Sequence, residues 1–407
     1  MVRRAARQQA GPCCPSRVHE EGLTMPKRSH RRRITAAAVL AATALALAGP
    51  LPASADQARA VGPVQRGLDR LVHEDGYPAA LAAATGRDGR TRNAAAGVAD
   101  LRTGEKVPVD GQVRGASITK SFTAAVVLQL VGEGKVALGA PVETYLPRLL
   151  RGDGIDGRRI TVRQLLQQTS GLPDYTTYMD DLVSNRHRYY EPRTLLDLAL
   201  QHKAGFPPGK GWRYSNTDYV VAGLLIERVT GRPVGEEITR RVIDRIGLRH
   251  TYFPTVGDQN IRGPHPHGYV SLKSGAPLLD VTEMDPSAAW AGGALITTPS
   301  DSNRFFGALL GGRLLKPAQL AQMRTTVAIP ANAGYPKGTR FGLGLISQPL
   351  SCGGLMWGHD GDFLGYATYS AATDDGRAAT IAATADPGPV KKGRHDIEHL
   401  LDTALCG

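Results

Sequence analysis

The sequence predicts an α+β fold: an antiparallel sheet flanked by helices, with a mainly helical domain inserted between the parts that build the sheet. Three observations lead there. Short β-like runs occur near both ends of the chain, whereas signals between 115 and 293 are mostly helical. No internal repeat or low-complexity tract follows residue 56. No apolar run reaches the roughly 20 residues needed to span a bilayer. A chain of 407 residues, 42% hydrophobic and 21% charged, is long enough for two or three structural units with ample core.

The elements follow in order. Residues 25–55 have the three parts of a secretory signal. A basic stretch (Lys27, Arg28, Arg31, Arg32, Arg33) precedes an apolar run from Ile34 to about Ala48, and Ala53-Ser54-Ala55 supplies a small-x-small cleavage site. A membrane anchor is the alternative, but the run is too short for one. Residues 1–24 make a poor signal start and end just before Met25, so translation is expected to begin at Met25. Beyond the leader, 62–72 reads as a short helix. The runs 79–85 and 94–100 flank a Gly/Asp/Arg turn and read as a hairpin. Helices are expected at 121–132, at 161–168 (opened by Thr161, stopped by Ser170-Gly171-Leu172-Pro173) and at 217–230, ending at Gly231. Strands return at 341–346, 355–357, 365–370 and 378–384, and a final helix covers about 395–405. The expected organisation is therefore a sheet domain from 56–114 and 300–407, with 115–299 as the helical domain.

The charge belongs mainly to the leader. A net charge of +12 is the usual first flag for nucleic-acid binding. Removing 1–55 takes 49 basic residues to 40 and 37 acidic residues to 35, which leaves +5. That is ordinary for an enzyme, so no nucleic-acid partner is expected, and no membrane anchor after signal cleavage. The same cut leaves Cys352 and Cys406. An even pair in an exported chain reads as one disulfide, two buried thiols being the alternative. The loop it closes, about 55 residues, corresponds to about 4 kcal/mol on chain-entropy grounds.

Three short motifs carry chemistry. Ser117-Ile118-Thr119-Lys120 opens a helix, and its i, i+3 spacing puts hydroxyl and amine on one face. Positive potential at the helix start favours an alkoxide and disfavours a charged Lys120, which suits Ser117 to nucleophilic attack. Tyr214-Ser215-Asn216 lies immediately before the 217–230 helix. Ser215 or Asn216 as a helix cap is the plain reading. The chemical one makes Tyr214 a proton carrier, with a pKa depressed by neighbouring cations, and Asn216 a substrate-binding amide. His359-Asp360-Gly361 sits between strand-like runs. A cationic or hydrogen-bonding residue followed by Gly on an edge strand lets backbone N–H groups approach a substrate closely. Each motif alone is weak. His265-Pro266-His267 lacks a third spaced ligand, so no metal and no cofactor are expected.

Taken together, their order and spacing resemble the serine penicillin-recognising enzymes, whose signature is S-x-x-K, Y-x-N and K/H-x-G. The combination is similar to the branch with class C β-lactamases, family S12 D-alanyl-D-alanine carboxypeptidases, D-aminopeptidases and related esterases, most of all the secreted carboxypeptidases with a His-x-Gly triad. The likeness covers about 60–407 and includes Gly134-Lys135, Tyr145-Leu146-Pro147, Ser170-Gly171-Leu172 and the late Ser351-Cys352-Gly353 with Cys406-Gly407. It implies a β-lactamase/transpeptidase-like fold and acyl transfer in the cell-wall space. Ser117 attacks a carbonyl, Lys120 and Tyr214 move its proton, and Asn216 and His359 position the substrate. The Ser117 and Asp362 N–H groups form an oxyanion hole, kept in place by Gly361. A small peptide or peptidoglycan-stem substrate, acylation by β-lactams and a monomeric chain are expected with it.

This chain departs from that pattern in one subsite. Carboxypeptidases of the branch hold a free carboxylate with an Arg on the strand before the triad and a hydroxyl residue just after it. Ile346 and Asp362 stand there. Arg340, about 20 Å back along an extended strand, is too far to substitute. Poor D-Ala-D-Ala carboxypeptidase turnover is expected, with an amine, amide or ester group in the subsite and Asp362 available to a substrate ammonium. The competing classes are an acylated binding protein with little turnover and a non-enzymatic scaffold.

Overall fold

The computed structural model describes residues 55–273, 276–386 and 391–407. The leader and upstream segment expected from the sequence fall, but for Ala55, outside these residues.

The first helix, α1 (Ala55–His73), is followed by the hairpin β1 (Ala79–Thr85) and β2 (Thr91–Asp100) and the short β3 (Glu105–Lys106). After a long, mostly helical stretch the chain returns with β4 (Val327–Ala328), β5 (Arg340–Phe341), β6 (Ile346–Pro349), β7 (Leu355–Phe363), β8 (Tyr366–Thr373) and β9 (Ala378–Ala383). These nine strands form one antiparallel sheet in the order β4-β5-β6-β7-β8-β9-β1-β2-β3. The pairing Ala80↔Ala383 through Thr85↔Ala378 joins the two ends of the chain at its centre.

The central strands are rich in alanine and buried along their whole length (AATIAA in β9, YATYSAAT in β8). Small side chains on both faces suit a sheet covered on both sides, and explain why these strands lack polar alternation. On one face pack α1 and the C-terminal helix α5 (Lys391–Cys406), burying Leu68, Leu71, Ile397, Leu400 and Leu405. On the other lies α4 (Pro299–Leu310), whose Phe305 stacks at 3.7 Å on Phe122 of α2 (Thr119–Gly132). Helix α2 is buried from Thr119 to Leu130. A helix apolar all round belongs in the middle of a core, and here it carries Lys120 away from water. Against it packs α3 (Asn216–Thr230), closed by Gly231 in the left-handed conformation. Thr161 and Gln164 form a reciprocal capping box at the helix Val162–Leu166.

One expected strand is wrong. The run 341–346 is the end of β5, a tight turn and the start of β6. Gly342 donates to the Leu345 carbonyl at 2.7 Å, and Gly344 has φ +67, which only glycine adopts readily. Leu343 and Leu345 face the core, so the apolar spacing imitates a strand. The turn also voids the distance argument for Arg340, which sits opposite Ser347 across the hairpin. Its guanidinium nevertheless points away, bonded to Thr326 on the exposed rim. Cys352 and Cys406 form a disulfide that ties the β6–β7 turn to the end of α5.

Candidate active site

Ser117 does not open α2 itself. It sits in the single 3₁₀ turn Ala116–Ile118 that precedes it. Ala116 has φ +45, a strained value for a residue with a side chain. The turn is held by Thr119 Oγ1 donating to the Ala116 carbonyl (2.7 Å), Gly115 N–H donating to Leu295 (2.8 Å) and Thr368 Oγ1 donating to Arg114 (3.0 Å). Strain held by surrounding bonds presents Ser117, half-buried, to the cleft.

Lys120 follows one turn on and is fully buried. Its Nζ lies 3.0 Å from Ser117 Oγ, 2.7 Å from Asn216 Oδ1 and 2.8 Å from the Gly292 carbonyl, with the Tyr214 ring at 4.9 Å. Burial lowers its pKa to about 7, against the opposing pull of Asp174, Asp360 and Asp218. Desolvation, rather than the helix terminus argued from the sequence, is the chief cause. A neutral Lys120 keeps two N–H bonds for Asn216 and Gly292 and turns its lone pair to Ser117, so it can accept the Ser117 proton.

Tyr214 lies beside Ser117, whose hydroxyl favours its ionised form. The depressed pKa expected for Tyr214 is incorrect. Desolvation raises it well above the ordinary value, and this outweighs the bond from Ser117. Tyr214 therefore holds its proton at neutral pH. His359 is also neutral, its pKa lowered to about 4 chiefly by burial. Its Nδ1 contacts the Asp360 carbonyl at 2.6 Å, which leaves Nε2 as a buried acceptor with no hydrogen bond, in a ring packed edge-on to Tyr214 and Phe341. Of the two alternatives read for this position, the cationic one does not hold.

The pairing of β6 with β7 ends at Ile346↔Gly358, so β7 has an open edge from 359 to 363. That stretch packs directly on the Ser117 turn. A Cβ placed on Gly361 would lie 2.5 Å from the Gly115 carbonyl and 2.9 Å from Ser117 N. The Ser117, Lys120, Tyr214, Asn216, His359, Gly361 and Asp362 positions thus converge, although they come from three separate stretches of chain.

Sequence reasoning missed two residues here. Asp174 accepts from the Asn216 backbone N–H (3.2 Å) and from Nδ2 (3.1 Å), turning Oδ1 toward Lys120. It follows the Ser170-Gly171-Leu172-Pro173 loop, which reads from sequence as a helix stop and a segment of the family likeness, with nothing that singles out Asp174. Arg394, one residue before the expected final helix, bonds Asp360 and lies 3.4 Å from Asp362. No local pattern marks it. The cleft measures about 990 Å³ and is walled by Trp212, Tyr335 and Phe363. Four carboxylates (Asp180, Asp181, Asp360, Asp362) and two guanidinium groups (Arg213, Arg394) line it.

Residues 64–405 match the family described as Beta-lactamase. The chain belongs to this family. Among solved structures, this Beta-lactamase family member is similar to a D-stereospecific amidohydrolase from Streptomyces sp. The two are 38% identical, with TM-score 0.75, over 83% of this chain and 98% of that one. It is also similar to the D-amino acid amidase of Ochrobactrum anthropi SV3 (27%, TM-score 0.74, 85% and 97% covered). Esterase EstB of Burkholderia gladioli is 28% identical over 302 residues, 65% of this chain and 76% of the esterase. The match to Protein flp of Staphylococcus aureus, 30% identical over 171 residues, covers 42% of this chain and spans 33% of that relative's length. The mixed architecture and large antiparallel sheet are those of the β-lactamase/transpeptidase-like fold. Among the described residues no cluster of three or more His, Cys, Asp or Glu is arranged to hold a metal ion. His265 and His267 instead bond the Gly263 carbonyl and Asp280. No helix of the described residues is long and apolar enough to cross a membrane.

Proposed function

We propose that this protein is an exported amidohydrolase that forms an acyl-enzyme on Ser117 and cleaves amide bonds of D-amino acid derivatives. The observation that carries the reading is the chain Ser117–Lys120–Asn216, closed on the Gly292 carbonyl and buried beneath the cleft. Ser117 Oγ attacks the carbonyl as its proton passes to neutral Lys120. The Ser117 and Asp362 N–H groups stabilise the oxyanion. Tyr214, which retains its proton, donates to the leaving nitrogen and is reprotonated from Lys120. Water then attacks the acyl-enzyme by the reverse relay. Asn216, oriented by Asp174, holds the substrate, and His359 packs behind Tyr214 beneath the cleft.

Two points favour amides over the D-Ala-D-Ala carboxypeptidase reading expected from the motifs. The cleft lining has more carboxylates than guanidinium groups, which disfavours an anionic leaving group. Two of the similar solved structures are a D-stereospecific amidohydrolase and a D-amino acid amidase. Short esters, as the name of the Burkholderia relative suggests, and β-lactams are further acyl donors for the same serine. Secretion and a monomeric state belong to the same proposal. The test is a panel of D- and L-amino acid amides, D-peptides, p-nitrophenyl esters and benzylpenicillin on residues 56–407. A Ser117-dependent acyl adduct by intact mass and a D over L preference are expected; no adduct with any donor overturns the reading.

A further inference from the structure

Arg394 reaches from the first turns of α5 to the face of β7 that carries both Asp360 and Asp362, two residues apart and therefore on the same side of the strand. Its guanidinium ends are used differently. Nη2 bonds Asp360, whereas Nη1 lies 3.4 Å from Asp362 Oδ2. Nε is 3.6 Å from Glu398, and the Tyr335 and Tyr369 rings lie 5.8 and 5.6 Å from the guanidinium carbon. Asp360 and Glu398 side chains are only 14% and 10% exposed, but that of Asp362 is 51% exposed. Asp360 and Glu398 hold Arg394 from the buried side, and Asp362 meets Nη1 from the more exposed side, where both residues line the cleft.

We infer that Asp362 is the specificity residue of the leaving-group subsite and acts by occupying Arg394, so that substrates ending in a carboxylate are refused and those ending in an amide are accepted. The inference rests on the acyl-transfer reading of the cleft. Removing the Asp362 charge leaves Arg394 anchored through Nη2 by buried Asp360 and exposes Nη1 to an incoming carboxylate. Because the Asp362 backbone is also placed at the oxyanion, the readout is a ratio of two substrates rather than a rate.

The experiment compares N-acetyl-D-alanyl-D-alanine with its C-terminal amide on wild type, Asp362→Asn, Arg394→Ala and the double variant. A ratio of two substrates on one enzyme cancels any loss of folded protein. Asp362→Asn is expected to shift the acid-to-amide ratio of kcat/KM toward the acid by about tenfold or more, the scale of one charge-assisted hydrogen bond. The double variant is expected to lose that gain. A ratio unchanged within twofold overturns the inference. So does a gain that survives in the double variant, because relief of repulsion by Asp362 would then suffice without Arg394. If wild type hydrolyses neither substrate, the amidohydrolase reading is decided separately, by the panel of D-amino acid amides and esters. The inference is then judged by NMR titration of the leaving groups D-alanine and D-alaninamide on the same four proteins, where the same shift in Kd ratio supports it and an unchanged ratio overturns it.

Discussion

Replacing Lys120 by Met keeps a stem of similar length and deletes the amine that joins Ser117, Asn216 and Gly292. Burial takes the lysine from an ordinary value of 10.5 to about 7. The sign of the linkage follows. Between those values the unfolded chain carries the proton and the folded one does not, so the unfolded state binds more protons and wild-type stability rises with pH. Below about pH 7 both states are protonated and the folded protein bears the full cost of a buried ammonium. The slope is about 1.4 kcal/mol per pH unit. Relative to Lys120→Met, the wild type should therefore gain about 2–3 kcal/mol between pH 7 and pH 9. Urea denaturation of both proteins at the two pH values measures this, and taking the difference removes every other titrating group. The same ionisation should appear in catalysis, as a rise in wild-type kcat/KM through about pH 7 when Lys120 becomes a base. Parallel stability curves for the two proteins, together with a flat kcat/KM from pH 6 to 8, would refute the idea that Lys120 is neutral and serves as the base.

Other expectations concern the neighbours. Gly361→Ala puts a Cβ 2.5 Å from the Gly115 carbonyl and should push β7 off the Ser117 turn; a fall of about 10²–10³-fold in kcat, the scale of one lost oxyanion donor, is expected in single-turnover assays. Asp174→Ala frees the Asn216 amide to rotate, and should lower kcat/KM about tenfold while circular dichroism stays unchanged. Tyr214→Phe removes a proton carrier that stays protonated, so leaving-group departure from amides should slow by about 10²–10⁴-fold. Activated p-nitrophenyl esters, whose leaving group needs no proton, should suffer much less. Cys352→Ser should lower stability by about 2–4 kcal/mol in thermal or urea unfolding.

The parts of the molecule legible in the sequence are those set by local pattern. The hairpin at 79–100, helix 216–230 with its Gly231 stop, and the late strands are written in runs and breakers that a short window contains. So are the three motifs, since i, i+3 spacing on a helix and a Gly on a strand fix geometry within a few residues. The misreading at 341–346 marks the limit of this. Apolar spacing alone could not separate a strand from a turn whose leucines point to the core.

Protonation states and charge pairs were beyond it. That Lys120 loses its proton so far below the ordinary value, that Tyr214 keeps its proton and that His359 is uncharged all follow from burial, and burial is decided by α2, α3 and the sheet closing over one another. Asp174 and Arg394 show the same division. Each is an ordinary charged residue in its own segment, and becomes part of the site only because folding brings it to Asn216 or to Asp362. The sequence by itself determined the α+β fold and the family, because those rest on spacing along the chain. The tertiary structure alone decided which groups carry charge in the cleft, because the solvation of a charge depends on what surrounds it in space.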